Sequence, residues 1–248
     1  MTRLLKLVLL LFLWGCSSSV PTLKKADYYF EQGMKALEKK RCLKAIEEFE
    51  RVVNNYPGSS LVADAQYYLG EAHFCNHDYV QAVFEYQRLL DIYPSSQWAD
   101  KAQFQIGESF YKQLRRSELD QKETYESLTY FRQFIDDNPD SPMVSLARER
   151  IVECRSRLAK KQYLAARLYH KQGHLESALI TYKEVLLNFP DTPWYCETLM
   201  QMGAVARSQE NPTQARVYWK EVLQECSDER LKKKVKEQLD KLEPARGD

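Results

Sequence analysis

The 248-residue sequence predicts an all-α protein, an α-solenoid of five similar helix pairs followed by a C-terminal capping helix. Three observations predict this fold. Sets of four anchor residues recur along the chain, each in the order small, small, aromatic and proline. Within a regular set these residues are separated by 12, 4 and 8 positions, and most successive sets lie 37 residues apart. Prolines punctuate the chain between sets, and no run alternates as a half-buried strand would. The sets are Gly33, Ala45, Phe49, Pro57; Gly70, Ala82, Tyr86, Pro94; Gly107, Ser127, Phe131, Pro139; Ala166, Ala178, Tyr182, Pro190; and Gly203, Ala215, Trp219.

The ends of the predicted helices are marked by proline. One proline follows the second helix of each of the first four pairs and is expected to end it: Pro57, Pro94, Pro139 and Pro190. Three dipeptides combine a side-chain acceptor with a following proline, the pattern of a helix start. They are Ser141-Pro142, Thr192-Pro193 and Asn211-Pro212. A glycine also recurs inside first helices, although it costs ~1 kcal/mol relative to alanine there, so we expect the two helices of each pair to approach closely.

Two irregularities divide the predicted solenoid. Eight residues are inserted within repeat three, and Pro139 and Ala166 are separated by 14 residues more than a regular repeat requires. Because 14 residues are close to four helical turns, we expect one extended helix near 142–172. This helix would link an N-terminal lobe, 26–141 with repeats one to three, to a C-terminal lobe, 142–248 with repeats four and five and the cap.

The anchor pattern resembles the tetratricopeptide repeat, and this resemblance covers nearly the whole chain after the N-terminal segment. It implies a right-handed solenoid in which the first helix of each pair lines a concave groove. Such solenoids need a cap at an open end. One apolar stripe in the charged C-terminal segment predicts that cap: Leu231, Val235, Leu239 and Leu242.

The N-terminal segment predicts export and lipid attachment. In residues 1–15, two cations precede the apolar run 7–13, which is far shorter than the roughly 20 residues that span a bilayer. The run ends in Leu13-Trp14-Gly15-Cys16, which resembles the lipobox of bacterial lipoproteins at every position but Trp14. We therefore predict a signal peptide over 1–15, an acylated Cys16 and a lipidated tether over 16–25. The resemblance, with Ser17 after the cysteine, implies an outer-membrane protein that faces the periplasm. The alternative is an ordinary secreted protein cut near Cys16.

A peptide-binding groove is predicted on the first helices of repeats one to three. Aromatic and Met side chains recur there at one helical face, with carboxylates beside them. Such a surface can bury varied apolar side chains of a bound peptide, while the charges orient its backbone. Some of these rings are alternatively core between repeats. The predicted residues are Phe30, Met34, Tyr67, Glu71, Phe74, Phe104, Glu108 and Tyr111.

A partner-binding surface is predicted in the C-terminal lobe. The equivalent face of repeat four is basic, which favours an acidic partner, phospholipid or peptidoglycan, or is alternatively a solvated helix face. The predicted residues are Lys160, Tyr163, Arg167, Lys171 and Arg207.

Composition excludes several other classes. Lys and Arg number 36 against 35 Asp and Glu, without a long like-charged run, so no nucleic-acid partner is predicted. The sequence lacks nucleotide, hydrolase and zinc-protease motifs, and its carboxylates fall on solvated helix faces. We therefore predict no enzyme activity, no catalytic residue and no cofactor.

Cysteine and histidine are interpreted as structural residues. The pairs His73/His77 and His170/His174 have an i,i+4 spacing but no third ligand type near them, so no metal is predicted. Five cysteines remain after Cys16, an odd number without a CxxC motif. Thiols packed between helices are the expectation for these, with at most one opportunistic disulfide.

Three features together resemble the BamD family of outer-membrane lipoproteins. They are the tripeptide 119–121 with the following segment to Ser141, the extended helix from Ala147 to Tyr169, and the segment 189–193. Gln162 and Thr181 depart from the family pattern. The resemblance implies a non-enzymatic scaffold of the β-barrel assembly machinery.

Several partners are implied by this resemblance. The C-terminal lobe would bind the POTRA domains of a BamA-like barrel protein, and the N-terminal groove would receive targeting segments of unfolded outer-membrane proteins. Other lipoproteins of the assembly machinery are further expected partners. The alternative is an envelope scaffold similar to NlpI or to the Tol-associated tetratricopeptide protein, which would recruit peptidoglycan enzymes or division proteins.

Overall fold

The computed structural model describes residues 25–242, and within this range the chain forms eleven helices and no strand. The helices are α1 (Ala26–Glu38), α2 (Cys42–Asn55), α3 (Val62–Cys75), α4 (Tyr79–Ile92), α5 (Ala99–Lys112), α6 (Lys122–Asp137), α7 (Val144–Lys171), α8 (Leu175–Asn188), α9 (Trp194–Ser208), α10 (Pro212–Glu225) and α11 (Glu229–Asp240). Each helix from α1 to α10 packs against the next along the chain, and α11 covers α9 and α10. The fold is a solenoid of five tetratricopeptide repeats with a C-terminal cap, as predicted.

The recurring glycines permit the expected close approach of the two helices in a pair. A Cβ on Gly33 would lie 2.6 Å from the ring of Phe49, and a Cβ on Gly70 would lie 2.5 Å from that of Tyr86. Trp219 lies still closer to Gly203, since a Cβ there would be 2.1 Å from the indole nitrogen. The glycine and aromatic anchors therefore form one packing unit, in which the ring of the second helix occupies the space that a side chain would fill.

Proline ends the second helices as predicted. Helices α2, α4, α6 and α8 all stop two residues before their proline. Of the three predicted helix starts, only that of α10 is confirmed, where the Asn211 side chain accepts a hydrogen bond from Gln214 N and Pro212 is the first helical residue.

The other two predicted starts are wrong. Helix α7 begins after Met143 and α9 after Pro193. Ser141 Oγ accepts from Met143 N at 3.5 Å, whereas the buried hydroxyl of Thr192 donates backwards to Phe189 O at 3.0 Å. Both side chains therefore stabilise a turn that precedes the helix, rather than its first residues.

The predicted extended helix is α7, which has 28 residues and so a length of about 42 Å. Its first half packs on α6, where Cys154 and Leu158 meet Leu128. Its second half packs on α8 and α9 through Ala159, Tyr163 and Ala166. The change of partner along one helix is the structural result of the 14 additional residues.

The insertion of repeat three forms the connection between α5 and α6. The buried side chain of Gln121 donates to the carbonyl oxygens of Arg116, Leu119 and Asp120, at 2.9 to 3.2 Å. Its own Oε1 accepts from Thr124 Oγ1 at 2.8 Å. One amide side chain thus organises the whole connection.

The cysteines differ from the expectation. Four of the five form two disulfides, Cys42–Cys75 and Cys196–Cys226, and only Cys154 is a buried thiol. The first joins the start of α2 to the end of α3, and the second joins the start of α9 to the residue after α10. Helical geometry brings these ends together because neighbouring antiparallel helices place the start of one beside the end of the next.

The cap is formed as predicted. Leu231 and Val235 of α11 are buried against a cluster that contains Leu199 and Trp219, and Leu239 and Leu242 pack beside it. The first turn is capped by Asp228, whose carboxylate accepts from the backbone nitrogens of Arg230 and Leu231.

Candidate binding surfaces on the first helices

The predicted groove residues of repeats one to three lie at different depths. Tyr67 and Phe104 are 6% exposed and belong to the core between helices. The ring of Tyr67 stacks on Trp98 with a centroid distance of 4.5 Å, and Phe104 lies 5.4 Å from both Phe131 and Phe134. Their first structural role is therefore packing between repeats.

The other four apolar groove residues are half-buried and keep one side open. Phe30 contacts Phe49 and Tyr68 edge to face, at 5.7 and 5.8 Å. Phe74 packs in the same manner on Tyr79, at 5.2 Å. Met34 lies against the core of repeat one, and Tyr111 lies at the junction with α7. These side chains are the accessible part of the predicted groove.

The two predicted carboxylates are held by neighbouring repeats. Glu71 accepts hydrogen bonds from Tyr86 Oη at 2.5 Å and from Gln105 Nε2 at 2.7 Å. Burial, followed by the charge of Glu71, raises the pKa of Tyr67 far above its ordinary value. Glu108 is buried and pairs with Arg150 Nε at 2.5 Å. Both carboxylates therefore link successive first helices.

Repeat three and α7 are joined by a further cluster that the sequence analysis did not identify. The guanidinium of Arg150 lies 4.4 Å above the ring of Tyr111 and forms an ion pair with Glu153 at 3.2 Å. The hydroxyl of Tyr111 donates to Glu153, and burial with this hydrogen bond raises its pKa to about 12. The relevant sequence signal is the spacing of 42 residues between Glu108 and Arg150, which is the 34-residue spacing of the contact between Glu71 and Gln105 lengthened by the eight-residue insertion.

Four of the predicted partner-binding residues lie on α7. Tyr163 is buried, with Trp194 at 5.0 Å and Tyr182 at 5.9 Å. Lys160 lies 5.7 Å from the centroid of the Trp194 ring, while Arg167 and Lys171 are exposed. Trp194, which the sequence analysis did not identify, therefore forms the apolar floor of this surface.

Arg207 does not join this group on α7. It lies in the last turn of α9, where its guanidinium donates to Gln238 Oε1 of α11 at 2.5 Å and lies 5.9 Å from the Trp219 ring. The structure thus gives this residue a contact between repeat five and the cap.

Charge is unevenly distributed between the two predicted lobes. The range 26–141 contains 13 Lys and Arg against 20 Asp and Glu, a net charge of −7, whereas 142–248 contains 19 against 15, a net charge of +4. The near-neutral chain therefore combines an acidic part with a basic part, which the total charge conceals. Within residues 25–242, no cluster of three His, Cys, Asp or Glu side chains is arranged to hold a metal ion.

The fold and these surfaces define a tetratricopeptide-repeat protein whose first helices expose aromatic and charged side chains along one face. The chain belongs to the family described as "YfiO: Outer membrane lipoprotein", whose model matches residues 23–220. It is also 25% identical over 207 residues to the outer membrane protein assembly factor BamD of Rickettsia prowazekii (strain Madrid E), and the match covers 82% of each chain. The predicted family and outer-membrane localisation are thereby confirmed.

Solved tetratricopeptide structures are more distant. The TPR2AB-domain:pHSP90 complex of yeast Sti1 is 13% identical with a TM-score of 0.49, covering 80% of this chain and 76% of that one. A thermophilic tetratricopeptide protein of Thermus thermophilus is 15% identical with a TM-score of 0.38, covering 87% of this chain and 99% of that one.

Cys16 lies outside the described residues. In the range that the structure describes, none of the helices has the length and apolar character needed to cross a bilayer.

Proposed function

We propose that this protein is a non-enzymatic, lipid-anchored scaffold that assists the assembly of β-barrel proteins in the outer membrane. The observation that carries the proposal is the family match over 23–220, together with a relative named as an outer membrane protein assembly factor over 82% of its length. Five helix pairs that present side chains on a continuous face are suited to holding other polypeptides. The machinery's other lipoproteins and a BamA-like POTRA protein are the proposed partners.

The first experiment identifies those partners. The tagged, acylated protein is purified from detergent-solubilised envelopes, and co-purifying proteins are quantified by mass spectrometry. We expect a barrel protein with POTRA domains at roughly equal amount. Recovery of murein hydrolases, Tol proteins or division proteins without a barrel protein would instead support the envelope-scaffold alternative and contradict the proposal.

Repeats four and five are the proposed site for the POTRA protein. Arg167→Glu combined with Lys171→Glu reverses two exposed charges, so the fold is expected to persist while the barrel protein is lost from the purification. Lys183→Glu with Lys220→Glu makes the same charge change on the second helices and serves as the control. Equal loss in both variants would argue against a specific role of the α7 face.

Repeats one to three are the proposed site for targeting segments of unfolded barrel proteins. Because Tyr67 and Phe104 are buried, alanine at either position is expected to cost about 3 to 5 kcal/mol of stability. A loss of peptide binding in such a variant could not be separated from a loss of folding. The half-buried Phe30 and Phe74 are better probes. Their double alanine variant should bind a barrel C-terminal peptide ending in an aromatic residue about tenfold more weakly, as expected for two lost aromatic contacts.

The control for this test is Tyr125→Ala, because Tyr125 is 58% exposed and lies on a second helix. Fluorescence anisotropy with labelled peptide measures the affinity, and far-UV circular dichroism measures the helix content. Unchanged affinity of the double variant would contradict the proposal that repeats one to three bind targeting segments through this groove.

The lipid anchor is tested separately. Cys16→Ser removes the proposed acylation site, so we expect the protein to appear in the soluble periplasmic fraction. Sedimentation of this variant with membranes after confirmed removal of the signal peptide would show that the anchor lies elsewhere.

A further inference from the structure

One face of α7 is cationic and apolar along more than half of the helix. Between Glu153 and Glu176 the sequence contains no Asp or Glu, and its cations, the half-buried Leu164 and the exposed Leu168 recur every three or four residues, so they share one face. This α7 face consists of Arg157, Lys160, Lys161, Leu164, Arg167, Leu168 and Lys171.

The cations of the α7 face lack an ion-pair partner among the residues that the structure describes. Arg157 and Lys161 donate to backbone carbonyls of the insertion, those of Arg115 and Leu119, the second at 2.8 Å. Among residues 25–242, no carboxylate forms an ion pair with any of the five cations. Most other cations of the described range that contact carboxylates form these contacts within one helix or between repeats. The five cations of the α7 face differ from them because they form no ion pair.

Two clefts run along the α7 face. One of about 510 Å³ is lined by Leu164, Leu168 and Lys171, and one of about 520 Å³ is lined by Arg157 and Trp194; Glu118 of the insertion borders both. The packing partner of α7 changes from α6 to α8 and α9 along its length. Among the described residues, the first cleft is lined by α7 and Glu118 alone, and Trp194 of α9 closes the second. Leu168 is consequently 54% exposed between cations.

We infer that the α7 face binds an acidic amphipathic segment of a partner protein, whose carboxylates pair with Arg167, Lys171 and Lys160 while its apolar side chains cover Leu164 and Leu168. The inference rests on the proposed partner-binding role of this surface and specifies the chemistry of what binds. Charge complementarity supports it, because the cations are unpaired and the surrounding range 142–248 is itself basic. We commit to a protein segment because the proposed partners of this surface are proteins, and binding to a bilayer is an outcome of the test below.

The test uses a fluorescein-labelled synthetic peptide in which pairs of Glu alternate with pairs of Leu, and a second peptide with Gln in place of every Glu. Binding to the full, acylated chain in detergent is followed by anisotropy. We expect the acidic peptide to bind and the Gln peptide to bind at least tenfold more weakly. Salt at 1 M, where the Debye length is about 3 Å, should remove most of this difference.

Two matched variants test the location of the peptide. Lys160→Gln, Arg167→Gln and Lys171→Gln together should weaken acidic-peptide binding about tenfold, the expectation for three exposed ion pairs. Lys183→Gln, Arg216→Gln and Lys220→Gln remove the same charge from the second helices of repeats four and five and should change the binding of the acidic peptide less than twofold.

Equal weakening by both triple variants, or equal binding of the two peptides, would overturn the inference. Binding of the unacylated Cys16→Ser chain to anionic vesicles through these three cations, without peptide binding, would overturn it in favour of lipid. The partner purification described above is independent: recovery of a barrel protein without acidic-peptide binding would leave the proposed function in place and remove only this inference.

Discussion

Placing a methyl group on Gly203 tests the glycine and aromatic packing unit that four of the five repeats share, repeat four having Ala166 in place of the glycine. The Cβ of an alanine at this position would lie 2.1 Å from Trp219 Nε1, far inside contact distance. Trp219 is 1% exposed, and its indole donates to Met200 O at 3.0 Å. The ring therefore has no free space into which it can move without losing that hydrogen bond.

The magnitude follows from three contributions. Alanine gains ~1 kcal/mol over glycine in a helix interior. Overpacking of a close-packed core costs about 1 to 3 kcal/mol, and loss of the indole hydrogen bond costs about 1 kcal/mol more. We expect Gly203→Ala to lower the free energy of unfolding by about 1 to 3 kcal/mol, although propensity alone predicts that it would stabilise the protein.

Urea unfolding followed by circular dichroism and tryptophan fluorescence measures the effect. Gly58→Ala is the control, because nothing lies within 4 Å of its added Cβ, and should change stability by less than about 0.5 kcal/mol. Gly107→Ala, at 2.9 Å from Phe131, should be the mildest of the helical substitutions. Trp219→Phe should partly rescue Gly203→Ala, so that the double variant loses less stability than the sum of the two.

An unchanged or raised stability of Gly203→Ala would refute this reasoning. It would mean that the aromatic ring of the second helix relaxes at no cost, and that the glycine anchor is not a packing requirement.

Three further outcomes are expected. Burial raises the pKa of the Cys154 thiol to about 11, so the unreduced native Cys16→Ser chain should not react with a thiol reagent, and one thiol should react after denaturation; more than one would contradict the two disulfides. Arg155 lowers the pKa of Asp191 below its ordinary value, so this pair stabilises the fold above pH 4 and the effect is lost as the pH falls through the lowered pKa. Thermal unfolding should therefore show a larger loss of stability for Arg155→Gln at pH 7 than below the lowered pKa of Asp191, where the lost hydrogen bond from Arg155 to Asn188 O still contributes. A difference independent of pH would exclude the carboxylate as the cause. Glu108→Gln leaves Arg150 without its buried partner and should lower the free energy of unfolding by about 1 to 3 kcal/mol in the same measurement, whereas Glu149→Gln, at an exposed position beside Arg150 on α7, should be neutral.

Periodicity and spacing predicted the features that depend on the chain's own register. The bounds of α7, the ends of the second helices and the glycine contacts were all predictable, because each follows from helical geometry and from the space between two neighbouring helices. The two wrong helix starts show which features periodicity and spacing do not predict. Ser141 and Thr192 have the right chemistry for a cap, but the turn that each residue belongs to satisfies its hydroxyl first.

The depth of the groove residues could not be predicted in the same way. Tyr67 and Phe74 share one helical face, yet only Tyr67 is fully covered, because Trp98 from the start of the next first helix stacks on it. The burial of a groove side chain by the next repeat depends on how far that repeat is displaced along the helix axis. This displacement cannot be predicted from the sequence pattern of one helix. The two disulfides had a weak sequence signal, since both pairs are separated by slightly less than one repeat, 33 and 30 residues.

The positions of the two disulfides bear on how the solenoid comes apart. Linear repeat proteins tend to fray from their ends, because a terminal repeat has a neighbour on one side only. Here one covalent crosslink lies in the first two repeats and the other in the last, and a closed loop of this length contributes roughly 3 to 4 kcal/mol against unfolding. The crosslinks restrain α2 with α3 and α9 with α10, whereas α1 and α11 lie outside them and can still fray. Opening that goes beyond α1 and α11 is therefore expected in the interior, where the insertion meets α7. A protease that acts on transiently opened chains would then cut there, and would leave two crosslinked terminal fragments that keep their helices.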